Sequence, residues 1–127
     1  MTDLLTPWWL IRFAVAAVWI YEGLWCKLLG GEPRQRQVVG AVPWLGSPYG
    51  GLFLTALGAG ELGLAAWVLS GAAPVACAAC QTLLLASLNA GGVFWARHVI
   101  HDPAGMLVKN FAFLVLAWVA ASRQGWP

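Results

Sequence analysis

Residues 74–96 read PVACAACQTLLLASLNAGGVFWA, a run without one charged side chain. A helix that spans a bilayer uses about 20 mostly apolar residues, so this run is long enough to cross. A barrel strand would alternate apolar and polar positions over about ten residues. Leu83-Leu84-Leu85-Ala86 does not alternate, nor does the stretch from Phe111 to Leu116. The run therefore predicts a membrane helix. Three more apolar segments lie around it, at about 8–29, 51–70 and 106–122.

Composition agrees. The chain has 127 residues, 61% hydrophobic and 9% charged, with a mean hydropathy of +0.74. A soluble domain carries roughly 25% charged residues, so an ordinary water-facing surface is excluded. Disorder is excluded as well, because it needs low hydrophobicity and high charge. Seven Lys and Arg form no basic helix or tail, so nucleic acid is not an expected partner. Four spans use about 80 residues, and the remainder is too short for a separate soluble domain. The expected fold is all-α, a single transmembrane domain over residues 1–127 built as an integral membrane four-helix up-down bundle. The first 10 residues lack a basic n-region and Arg12 interrupts the first run, so the first span is expected to be retained.

The links are short. Gly71-Ala72-Ala73-Pro74 joins spans two and three, with Pro where a helix start tolerates it. His101-Asp102-Pro103-Ala104-Gly105 precedes span four. Short links predict antiparallel neighbours. The longer link, residues 30–50, predicts a short interfacial helix over Pro33 to Val39, with Trp44 as an anchor. Of nine Trp, Trp8, Trp9, Trp25, Trp44, Trp67, Trp95 and Trp126 fall near span ends, as an aromatic belt does. Trp19 and Trp118 sit deeper. Lys27, Arg34, Arg36, Arg97 and Lys109 lie on one membrane side, Arg12 and Arg123 on the other. This bias predicts a cytoplasmic first side and periplasmic termini, in a multi-pass protein of the cell inner membrane.

The informative residues are the polar ones inside spans. A charge at mid-bilayer costs roughly 2.5–3.5 kcal/mol on insertion scales, so such residues face the bundle interior and pair. With a rise of about 1.5 Å per residue, Glu22 lies about 10 Å from the end of span one. Glu61 lies about 15 Å from the start of span two, and Asn89 about 10 Å from the end of span three. Lys109 and Asn110 lie about 5 Å into span four. All these ends share one membrane side. The set therefore predicts a polar half-membrane cavity shaped by Glu22, Glu61, Asn89, Lys109 and Asn110, with Lys27, Arg97 and His98 at its mouth. On an α-helix Lys27 stands about 140° around from Glu22, so those two do not form one stripe. Gly58, Gly60 and Gly63 surround Glu61, and small residues permit close helix approach. A buried network that only fixes helix register competes with a ligand-binding cavity for the same residues.

Cys77-Ala78-Ala79-Cys80 is a C-x-x-C pair at the start of span three, both thiols facing roughly the same way. Such a pair can exchange disulfides, and four-helix membrane thiol oxidoreductases that use quinone carry one. Here the pair lies in an Ala-rich run without an adjacent base or a second Cys pair, so packing is the expected role. No Cys–His spacing suits zinc, and no phosphate-binding or hydrolase motif occurs.

Three stretches carry a resemblance. Tyr21-Glu22-Gly23-Leu24-Trp25-Cys26-Lys27-Leu28-Leu29 resembles the G-x-x-K end of the first helix in DoxX-like proteins. Gly60-Glu61-Leu62-Gly63-Leu64 is similar to that family's second helix, and Lys109-Asn110-Phe111 to the polar start of its fourth. The resemblance implies a small, usually bacterial four-helix membrane protein. Its relatives include subunits of thiosulfate:quinone oxidoreductase, partners of thiol and superoxide defence enzymes, and an animal branch that assists receptor assembly. It implies polar positions at Lys27, Glu61, Lys109 and Asn110, and no requirement for Cys77 and Cys80. The expected role is a non-catalytic accessory subunit of a larger redox-linked membrane complex. It would have no cofactor of its own beyond a bound quinone or lipid, and other membrane subunits as partners. The alternatives are a quinone-dependent thiol or sulfur oxidoreductase using Cys77 and Cys80, and a homodimeric lipid or metabolite binder.

Overall fold

The computed structural model describes residues 8–29, 34–43 and 49–123, with the side chains of 34–36 and 123 outside the description. It is all-helical over those residues. Helix α1 (Trp8–Ile20) continues into a π-helical segment (Tyr21–Leu28). A short α2 (Arg34–Gly40) follows, then α3 (Gly50–Ser70), α4 (Pro74–Ala96) with a 3-10 extension at Arg97–Val99, and α5 (Pro103–Arg123). Four of these elements are long and apolar enough to cross a membrane: Trp8–Leu28, Gly50–Ser70, Pro74–Val99 and Pro103–Ser122. The short helix expected in the 30–50 link is α2. Trp44 and Trp126 lie outside the described residues.

Local chemistry sets the helix ends. α3 stops at Gly71, whose φ of 72° is left-handed and suits a residue without Cβ. Its N–H donates to the Val68 carbonyl at 3.2 Å. The Trp67 indole N–H donates to the Ala72 carbonyl at 2.7 Å and ties the link down. Ala73 is also left-handed, at φ 41°, and Pro74 then opens α4. Arg12 on α1 reaches this link, with its guanidinium donating to the Leu69 carbonyl at 3.4 Å and stacked 4.2 Å from the Trp8 ring. A cation against the last carbonyls of α3 also complements the helix dipole.

α3 packs along α1 and the π segment, α1 also meets α5, and α4 packs along α5. α3 and α4, although joined by the three-residue link, touch each other little, and α2 lies against both. The packed core is at the Arg12 end. Ile11, Val15, Ala16 and Trp19 of α1 meet Leu64, Ala65 and Val68 of α3, Cys77 of α4, and Ala117 and Ala120 of α5. Small residues at these contacts let the helices approach, as in other membrane bundles. The lipid-facing surfaces carry Phe13, Leu52, Leu83, Phe94, Val108 and Phe111, all exposed. The bundle is thus solid at one end, and toward α2 its interior holds a cavity.

Candidate functional site

In α3, Leu54, Gly58, Glu61, Ala65 and Val68 are buried at three- and four-residue spacing, a single helical stripe. Glu61 therefore occupies a core position, and it is 2% exposed. A carboxylate in such a place needs a cation, and Lys27 supplies it with Nζ 2.8 Å from Oε1. The Lys27 side chain is itself only 5% exposed. Its ammonium also lies 3.6 Å from Glu22 Oε1 and donates to the Glu22 backbone carbonyl at 3.4 Å.

Glu22 and Lys27 were expected on different faces, and the π segment overturns that expectation. Its backbone bonds run from residue i to i+5, as Leu29 N–H to Leu24 O at 2.8 Å shows. Residues five apart then lie on the same face, and the 140° offset of an α-helix is largely removed. Most π geometry in proteins is a single-turn bulge, frequent at functional sites; here it extends over eight residues.

Glycine sets the depth of the pair. Gly23 of the π segment and Gly58 of α3 are both buried and cross backbone to backbone. A Cβ on Gly23 would stand 2.6 Å from the Gly58 carbonyl oxygen, and one on Gly58 would stand 2.9 Å from that of Gly23. Of the three glycines around Glu61, only Gly58 serves this approach. Nothing lies within 4 Å of where a Cβ on Gly60 or Gly63 would be.

Glu22, Lys27 and Glu61 form one wall of a cavity of about 440 Å³. The facing wall comes from α4 and α5, where the Asn110 side-chain amide donates to Asn89 Oδ1 at 2.8 Å. Trp19 and Phe113 close the inner end, edge to face with centroids 5.6 Å apart. The Trp19 indole is 1% exposed and donates to Gln81 Oε1 at 2.8 Å. The Gln81 amide in turn donates to the Cys77 sulfur at 3.5 Å. Val38 and Val39 of α2 cover the outer end, beside His101 and Asp102 of the α4–α5 link. Between these groups the lining is apolar, with Leu54, Leu57, Leu85 and Leu88 on the α3–α4 side.

The structure thus brings Glu22, Lys27, Glu61, Asn89 and Asn110 to one cavity. It places Lys109, Arg97 and His98 elsewhere. Lys109 is exposed and does not line the cavity. It precedes Asn110 directly, and successive helix residues point about 100° apart, so only one of the two can face inward. A long cationic side chain one turn or two from a helix end snorkels to the interface instead. Arg97 and His98 are exposed on the 3-10 turn, which directs Val99 and Ile100 inward in their place. Trp19, His101 and Asp102 line the cavity and were absent from the expected set. Of these, the depth of Trp19 was the one sequence signal.

The C-x-x-C residues diverge. Cys77 is buried against Gln81, Cys80 is exposed, and both are free thiols. The two do not share an environment, and neither lines the cavity.

A four-helix membrane bundle with a buried ion pair, a facing amide pair and a cavity between them defines the class: a small multi-pass membrane protein. Residues 16–118 match the DoxX-like family, and the chain belongs to it. No curated protein and no solved structure gives a significant match.

Proposed function

We propose that the protein is a non-catalytic accessory subunit of a redox-linked membrane complex in the bacterial inner membrane, and that its cavity holds the head group of a quinone or lipid. The observation that carries the reading is the Lys27–Glu61 pair standing on the wall of a mostly apolar cavity, opposite the Asn89–Asn110 amide pair. The volume lies within the roughly 300–1,000 Å³ range of small-molecule sites, where a few placed polar groups orient a mostly apolar ligand. α3 and α4 touch each other little, and Leu57 and Leu88 line the cavity from the two helices, an apolar surface suited to a ligand's tail. Short loops leave no room for a catalytic domain, which favours a partner subunit. The thiol–quinone oxidoreductase reading has less support. Gln81 and the C-x-x-C pair lie on the solid side of Trp19, and Asn89 is about 18 Å farther along α4 than Cys77.

The test is extraction in a mild detergent followed by native mass spectrometry, together with calorimetric titration of a decyl-benzoquinone. Co-purification with a second membrane chain and saturable binding of the probe support the reading. A lone chain overturns the accessory role, and absence of both probe binding and a co-extracted amphiphile overturns the cavity's role.

A further inference from the structure

The polar groups of the cavity do not offer their hydrogen-bonding capacity evenly. Glu61 lines it at 2% exposure, and among the described residues its carboxylate has Lys27 as its one polar partner. At 2.8 Å the Lys27 ammonium forms a close ion pair with Oε1 and occupies one acceptor position there. An ionised carboxylate has about four acceptor sites, so most of its capacity is unused. Lys27, in contrast, is committed. Its ammonium is shared among Glu61, the Glu22 carboxylate and the Glu22 carbonyl. Opposite, the single bond between Asn110 and Asn89 leaves three amide N–H donors and one whole amide carbonyl over, whichever way the two amides are oriented.

We infer that the cavity selects head groups that carry hydroxyl donors, the hydroquinone form of a quinone above its carbonyl form. This deepens the proposed function and rests on it. A hydroxyl directed at the Glu61 carboxylate meets acceptor capacity that Lys27 leaves unused, and a second oxygen across the ring meets the free donors or the acceptor of the asparagine pair. A quinone carbonyl directed at Glu61 sets lone pairs against lone pairs. Sites built to bond a hydroxyl discriminate strongly against analogues that lack it, because their own polar groups are left unpaired. A neutral lipid with a glycerol head offers the same hydroxyl chemistry, so the source of the ligand is decided by experiment.

The experiment titrates the full-length protein in detergent under anaerobic conditions with four probes: decyl-benzoquinol, decyl-benzoquinone, the di-O-methyl ether of the quinol, and a decyl monoglyceride. The expected result is that the quinol binds at least about tenfold more tightly than the quinone and the ether, since one hydrogen bond to a charged group is of that order. In the Glu61→Gln variant the preference should fall several-fold while the quinone loses little. If that variant does not fold, Asn110→Leu, which leaves the ion pair in place, serves as the second readout and should weaken the quinol more than the ether. The monoglyceride binding as tightly as the quinol supports hydroxyl selection and assigns the site to lipid. Equal affinity for quinol, quinone and ether overturns the inference and leaves the cavity reading intact. Failure of all four probes overturns the cavity reading itself.

Discussion

Gly23 and Gly58 touch backbone to backbone, and Lys27 reaches Glu61 because they do. A Cβ on either would come within 3.0 Å of the other's carbonyl oxygen. The crossing places the π segment so close to α3 that a lysine four residues after Gly23 and a glutamate three residues after Gly58 meet at 2.8 Å. Cavity geometry and helix packing therefore depend on the same contact.

Gly23→Ala and Gly58→Ala should each destabilise the protein by about 1–3 kcal/mol, the usual cost of forcing atoms into a close-packed contact. Gly60→Ala and Gly63→Ala should be neutral or stabilise by about 0.5–1 kcal/mol, since open space surrounds both and Ala is the better helix former. Thermal unfolding in detergent, followed by circular dichroism, separates the two groups. Equal effects at all four positions would remove the special role of the crossing.

Breaking the ion pair from one side should cost more than removing it. Lys27→Met leaves Glu61 buried without a cation, a loss of about 3–5 kcal/mol in comparable sites. Adding Glu61→Leu to that variant should restore much of the stability, because an apolar pair of similar volume is often as stable as the buried charges. A double-mutant cycle in detergent reads this as strong coupling; additive effects would show that the two side chains act independently.

Trp19 and Gln81 form the second buried polar contact. Gln81→Leu strands the Trp19 indole N–H at a position 1% exposed. The expected loss is about 1–3 kcal/mol, the cost of an unmatched buried donor. Trp19→Phe in the same chain removes the orphan, so the double variant should lose less than the sum of the two single changes. Melting temperatures of the four proteins decide it.

Cys77→Ser with Cys80→Ser should leave quinol binding and complex assembly unchanged, since neither thiol lines the cavity. A modest stability loss from Cys77 alone is expected, because that side chain is buried against Gln81. Loss of binding or assembly in the double variant would return the thiol pair to the centre of the function.

Hydropathy made the four spans legible, because backbone groups in lipid must bond within their own helix. The depth of Glu61 was legible too: an acid in an apolar run has nowhere to go except inward. The neighbourhood of Lys27 was not, because counting residues around a helix presumes the i to i+4 ladder that Tyr21–Leu28 abandons. Lys109 and Asn110 show a second limit. Both are polar and equally deep, and only the azimuth fixed by α5 packing decides which of them faces the cavity. For Arg97 and His98 the cause is the tightening of α4 into a 3-10 turn, which no charge pattern announces.

The π segment also gives chain length a chemical meaning. In a regular helix, a site changes when one side chain replaces another. Between Tyr21 and Leu28 the gain or loss of one codon would rewind the turn and rotate the lysine relative to its two acids, with every amino acid in the pocket unaltered. The pairing of Lys27 with its two acids is thus set by the number of residues in the turn as much as by their identity.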